Sequence, residues 1–143
     1  MTNFRNSSVV INDEVANTLE KGRNVVALET TIVVQGLPSP VNLEVAEECE
    51  AAVREGGSVP ATIGVLDGRV IVGLSAEQLR TLADPDRHAA KLSARDIGLA
   101  LATHGDGATT VAGTISIASR VGIQVNGDRW SRRSSSRRPR QLR

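Results

Sequence analysis

Aromatic side chains are nearly missing from this chain: Phe4 and Trp130 are the only two among 143 residues, and tyrosine does not occur. The core must therefore be aliphatic and rich in alanine. Cysteine is as scarce, and the single Cys49 excludes an intramolecular disulfide and favours a reducing, cytoplasmic setting. Long apolar runs are absent too. None approaches the roughly 18 residues of a membrane span, and the opening MTNFRNSSVVINDEV has no uninterrupted segment of the signal-peptide kind. The chain reads as a soluble protein with no membrane partner, long enough for one domain with a sizeable core. Lysine is the last scarcity: Lys21 and Lys91 stand against fifteen arginines.

The formal net charge of +1 is unevenly spread. Residues 1–125 carry 10 basic against 15 acidic side chains, a net of −5, whereas residues 126–143 carry seven arginines against Asp128 alone, a net of +6. An acidic body thus meets a basic tail. Such a block can serve as a nucleic-acid arm, with Trp130 available to stack on a base. The lack of further aromatics in the run argues the other way, so nucleic acid is the weaker of the partner readings.

The most telling stretch is residues 24–42, NVVALETTIVVQGLPSPVN. Its first part, residues 24–34, is rich in β-branched residues and bears one charge, Glu29, so it reads as a buried strand carrying a carboxylate. A carboxylate in such a run must be paired, hydrogen-bonded or protonated. Two roles fit it: a structural group tied to backbone amides, or a catalytic acid. Gly36, Pro38 and Pro40 then end the strand.

Helices are expected over residues 13–21, with Asn12 as N-cap, and over 42–55, with Val45, Cys49, Ala52 and Val53 on the buried face. Glu44, Glu47, Glu48 and Glu50 then form a solvated acidic side rather than a metal site. Strands are expected at 61–66 and 69–73, joined by Asp67-Gly68 in a type I′ turn. Ser75 to Gln78 is a capping box, with Leu74 and Leu79 as the staple, and opens a helix over 76–83. Ser93 caps a helix over 94–103. Lys91, just before it, is either a functional cation or an ordinary surface lysine. The Gly- and Thr-rich residues 107–110 lead into a helix over 111–120, a start that suits a phosphate or polar base but equally an ordinary cap. Residues 123–125 begin a last strand. The pattern predicts an α/β fold, a layered sheet with flanking helices.

Four segments in order, VVALETTIVVQGLPSPVN at 25–42, VPATIGVLDGRVIVGL at 59–74, KLSARD at 91–96 and GATTVAGT at 107–114, resemble the N-terminal half of pseudouridine-5′-phosphate glycosidases, the family of indigoidine-synthase A-like proteins. The likeness covers about residues 9–125, so the α/β domain is expected to be incomplete. The resemblance implies reversible cleavage of pseudouridine 5′-phosphate to uracil and ribose 5-phosphate, with Mn²⁺ as cofactor and a homotrimeric assembly in the cytoplasm. It also implies that Glu29 is the proton donor and that Lys91 and Val111 contact the substrate. The family's mechanism opens the ribose as a Schiff base on a lysine while an acid protonates uracil.

This chain departs from the pattern. Gln35 stands where the family commonly has histidine. No lysine follows residue 125, so the nucleophile has no counterpart, nor has the metal-binding aspartate. Codons able to encode Asn126 to Arg132 read one base later as Thr-Gly-Ile-Gly-Gly-Val, close to the family's glycine-rich segment. A frame change near residue 125 is inferred, which makes 126–143 an out-of-frame tail too polar to fold. The truncated chain is expected to be inactive alone and, with edges and apolar surface uncovered, poorly soluble or only partly folded.

Overall fold

The structure, a computed structural model, describes residues 8–124. Six strands are present: β1 (Val9–Ile11), β2 (Val25–Leu28), β3 (Val59–Leu66), β4 (Arg69–Val72), β5 (Ala90–Leu92) and β6 (Gly107–Thr109). Five α-helices accompany them: α1 (Asp13–Glu20), α2 (Val41–Glu55), α3 (Ala76–Ala83), α4 (Ile97–Ala102) and α5 (Val111–Arg120). A π-helical turn, Ile32–Gly36, follows β2, and a 3₁₀ turn, Pro85–Arg87, precedes β5.

The long strand β3 organises the mixed sheet. On one flank it pairs with β4 antiparallel, and β4 holds β1 parallel at the edge. The other flank is shared: β2 lies parallel to residues 59–62, and β6 lies antiparallel to residues 64–65, with β5 parallel outside it. Since β2 and β6 run in opposite directions along one flank, they meet head on at their C-terminal ends. The Thr30 amide marks the meeting point, donating to the Thr109 carbonyl at 3.2 Å.

Alternation along β3 sends Ile63 and Val65 to one face and Gly64 and Leu66 to the other. The first face joins Val70, Val72 and Leu92 in a core closed by Val15 of α1, Ala100 of α4, and Ile117 and Ala118 of α5. The second buries Leu66 and Ile71 under Val33, Ala46, Leu74, Leu79 and Leu82, contributed mainly by the π turn, α2 and α3. Gly64 permits the close seat of α3: a Cβ there would lie 2.7 Å from Leu82 Cδ2.

Several local expectations hold. Asn12 caps α1 by accepting from the Val15 amide at 2.8 Å, and its Nδ2 also donates to Gly73 O, which ties α1 to the end of β4. Asp67 and Gly68 both have positive φ, 49° and 71°, as a type I′ turn requires. Both halves of the Ser75–Gln78 capping box are made.

Other expectations need correction. The strand placed at 24–34 ends at Leu28, because the head-on meeting with β6 occupies the flank that further residues would need. The chain instead winds into the π turn, where Val33 N and Val34 N both donate to Thr30 O. The helix placed at 94–103 starts at Ile97: Ser93 donates both its amide and its hydroxyl to Asp96 Oδ2, closing a turn first. On α2, Cys49 and Ala52 are exposed, and Asn42 and Ala46 are the buried pair. Glu50 leaves the solvated side, accepting the Thr62 hydroxyl at 2.6 Å. Residues 123 and 124 form no strand, and Val125 and the tail at 126–143 lie outside the described residues. The short strands β1, β5 and β6 were not anticipated.

Candidate functional site

The meeting of β2 and β6 creates a polar knot inside an apolar sheet. Thr30 and Thr109 are each 0% exposed, so their hydroxyls must find partners within the protein. Both donate to the Ile63 carbonyl, at 2.9 and 2.8 Å. Thr30 Oγ1 also accepts the Thr109 amide at 2.8 Å. With the Thr109 hydrogen committed to Ile63, Thr114 is the donor in the 2.8 Å contact between their hydroxyls. Every hydroxyl of this trio is satisfied, and the ends of β2 and β6 are fixed against β3.

Three chain segments flank this knot. Glu29 immediately precedes Thr30 and is half-buried, with its Oε2 accepting the Thr31 hydroxyl. Val111 begins α5 two residues after Thr109. Its helix is capped by Thr110 Oγ1, which accepts Gly113 N at 3.1 Å, and the valine side chain stands 62% exposed. Lys91 sits in the edge strand β5, opposite Ala108 in register. The end of β5 is bound to the start of α5: Thr110 N donates to Leu92 O, and a Cβ on Gly113 would lie 2.7 Å from that same carbonyl.

Glu29, Lys91 and Val111 are therefore set around a common junction by the backbone, although they differ in setting. Leu92 points into the core beneath α5, so alternation turns Lys91 to the opposite face, where the π turn and α3 lie. Its ammonium group is exposed and makes no ion pair or hydrogen bond among the described residues. Clefts of about 320 Å³ beside Leu19 and Ile123, about 450 Å³ beside Asp67 and Arg87, and about 380 Å³ between α4 and α5 all lie away from Glu29, Lys91 and Val111. Among the described residues no group of three His, Cys, Asp or Glu side chains is placed to hold a metal ion. No described helix is long and apolar enough to cross a membrane.

Sequence reasoning missed Thr30 and Thr109, the residues that close the junction. Their signal was the pair of Thr-Thr dipeptides at 30–31 and 109–110. It also missed Asn42, which is 4% exposed and donates from Nδ2 to Val33 O at 2.9 Å, taking up a carbonyl of the π turn.

The model of the indigoidine synthase A-like protein family matches residues 14–127. Pseudouridine-5′-phosphate glycosidase of Chloroflexus aurantiacus is 52% identical over 115 residues, covering 80% of this chain and 38% of that protein. The protein of the same name in Rhodospirillum centenum is 56% identical over 115 residues, covering 80% and 35%. Among solved structures, the prealnumycin C-glycosynthase in complex with ribulose 5-phosphate is 48% identical, with a TM-score of 0.72 over 82% of this chain and 37% of that one. An indigoidine synthase A-like protein of Thermotoga maritima is 34% identical, with a TM-score of 0.72 over 87% and 41%. The chain thus spans little more than a third of the length of the curated relatives it matches.

Proposed function

Because the chain belongs to the indigoidine synthase A-like family, we propose that it is the N-terminal part of a pseudouridine-5′-phosphate glycosidase, with Glu29 as proton donor and Lys91 and Val111 as substrate contacts. The bond to be broken joins two carbons, and uracil departs only once its C5 is protonated. A carboxyl group held at a sheet rim can deliver that proton. The Thr31 hydroxyl on Glu29 Oε2 restrains the carboxyl's rotation. The unpaired ammonium of Lys91 suits a phosphorylated sugar, and the exposed Val111 offers an apolar wall.

Mn²⁺, a trimeric assembly and a cytoplasmic setting belong to the same proposal for the complete enzyme. Among the described residues no cluster of three His, Cys, Asp or Glu side chains is placed to hold the metal, so they do not fit it. The sequence after residue 125 also supplies no lysine for a Schiff base, and this chain is proposed to be inactive alone.

The observation that supports the reading is identity above 50% to glycosidases over about 115 residues, in a chain whose Glu29, Lys91 and Val111 each adjoin the β2–β6 junction in sequence or in strand register. Its test is uracil release from pseudouridine 5′-phosphate. The full chain should release none, whereas residues 1–125 joined to the remaining part of the Chloroflexus aurantiacus relative should do so. Glu29→Ala in the joined protein should lower the rate about 10²–10⁴-fold. Full activity in that variant would overturn the role of Glu29.

A further inference from the structure

The π turn and the strand bearing Lys91 are joined by one side chain that the proposed chemistry does not use. Gln35 Nε2 donates to the Ala89 carbonyl at 2.9 Å, across 54 residues of sequence. On one side of this bond is the turn that continues directly from Glu29, Thr30 and Thr31. On the other is the approach to β5, a strand of three residues whose one neighbour among the described residues is β6. Ala89 packs toward the core that contains Val33 of the π turn, and by alternation Lys91 shares its face. Gln35 thus spans the gap between the Glu29 segment and the face on which Lys91 stands.

Each partner is otherwise anchored separately. The π turn is held by Val33 N and Val34 N on Thr30 O and by Asn42 on Val33 O. Strand β5 is held by Ala90 N on Asp106 O and by Thr110 N on Leu92 O. Among these hydrogen bonds Gln35 alone runs directly from one segment to the other, beside the packing of Ala89 toward the core of Val33. We propose that Gln35 is a positioning residue which sets the separation of Glu29 from Lys91 for a phosphorylated sugar bound between them. This rests on the reading of those two residues given above.

The test uses the full chain and two readouts, amide exchange at Ala90 and the affinity for ribose 5-phosphate by NMR titration. Gln35→Glu keeps size and shape but places a carboxylate where the donor stood, and Gln35→Ala removes the contact. Both should speed exchange at Ala90 and weaken ribose 5-phosphate about twofold to threefold, the worth of one solvent-exposed hydrogen bond. Gln35→His, whose ring N–H can donate to the same carbonyl, should restore both. Unchanged exchange at Ala90 in Gln35→Glu would overturn the latch. So would a loss of affinity that Gln35→His fails to repair. If the unaltered chain does not bind ribose 5-phosphate, the substrate-site reading fails for this chain and the positioning role falls with it, while the exchange data still report whether the contact holds β5.

Discussion

Replacing Thr30 by valine removes a hydroxyl and leaves the side chain's shape almost unchanged, so it tests the threonine knot directly. The Thr30 hydroxyl accepts the Thr109 amide at 2.8 Å and donates to Ile63 O at 2.9 Å. Ile63 O keeps a second donor, Thr109 Oγ1, so its loss is partial. The Thr109 amide loses its side-chain acceptor in the buried knot. A buried donor left without a partner costs about 1–3 kcal/mol, and the net worth of the lost bonds adds about 1 kcal/mol. Burial of the extra methyl group returns about 0.8 kcal/mol. The balance is about 2 kcal/mol of local destabilisation, or roughly thirtyfold faster amide exchange at Thr109. Native-state exchange followed by NMR reads this without requiring the whole chain to unfold cooperatively. Thr30→Ser keeps both hydrogen bonds and should preserve most of the protection. Equal protection in Thr30→Val and the unaltered chain would refute the argument, as would equal loss in the valine and serine variants.

Gly64→Ala should destabilise by about 1–3 kcal/mol through overpacking, since its Cβ would press on Leu82 Cδ2 and Leu74 Cδ1; a lowered urea midpoint checks this. Arg54 binds Glu14 through two contacts of 2.6 and 3.0 Å, with both side chains 48% exposed, and the hydrogen bond from Arg54 holds the Glu14 carboxyl below its usual range. A lowered folded-state pKa stabilises above the unfolded value and is lost as pH falls through the folded one. Glu14→Gln should therefore cost up to about 0.5 kcal/mol at neutral pH, and nothing in strong acid or high salt, in paired denaturation curves. The Ser93 hydroxyl, followed by the Ser93 amide, lowers the Asp96 pKa, so Ser93→Ala should raise the Asp96 midpoint in an NMR pH titration. Ile32, Val111 and Ile115 stand 44, 62 and 45% exposed, and the isolated chain should melt broadly and associate as concentration rises. A sharp thermal transition in a dilute monomer would count against this.

The parts of the fold legible in the sequence are those governed by local chemistry. Asp67-Gly68 announces a turn needing two positive φ values, and Ser75 with Gln78 announces a helix start, because neighbours within four residues decide both. Strands β5 and β6 were hidden: three residues cannot display a period, and Gly107-Ala108-Thr109 looks like a loop until β3 and β5 enclose it. Residues 32–34 misled for a related reason, since β-branched propensity is weaker than the lack of space beside β3. Asn42 defeated the amphipathic reading of α2 because its burial serves the Val33 carbonyl. At the site, Glu29 was visible as a lone charge in an apolar run. The threonines that fix its position were not, since their partners are 33 to 79 residues away.

The head-on junction also imposes an order on assembly. The β3–β4 hairpin closes over two residues and can form as soon as it is made, whereas the Thr30–Thr109 contact must close a loop of 79 residues against its chain entropy. During synthesis from the N-terminus, the end of β2 waits with its flank unoccupied until β6 has emerged. Glu29 therefore acquires its final setting late, after the hairpin and α3, and faults in β6 should register first as a misplaced acid and only later as a lost core.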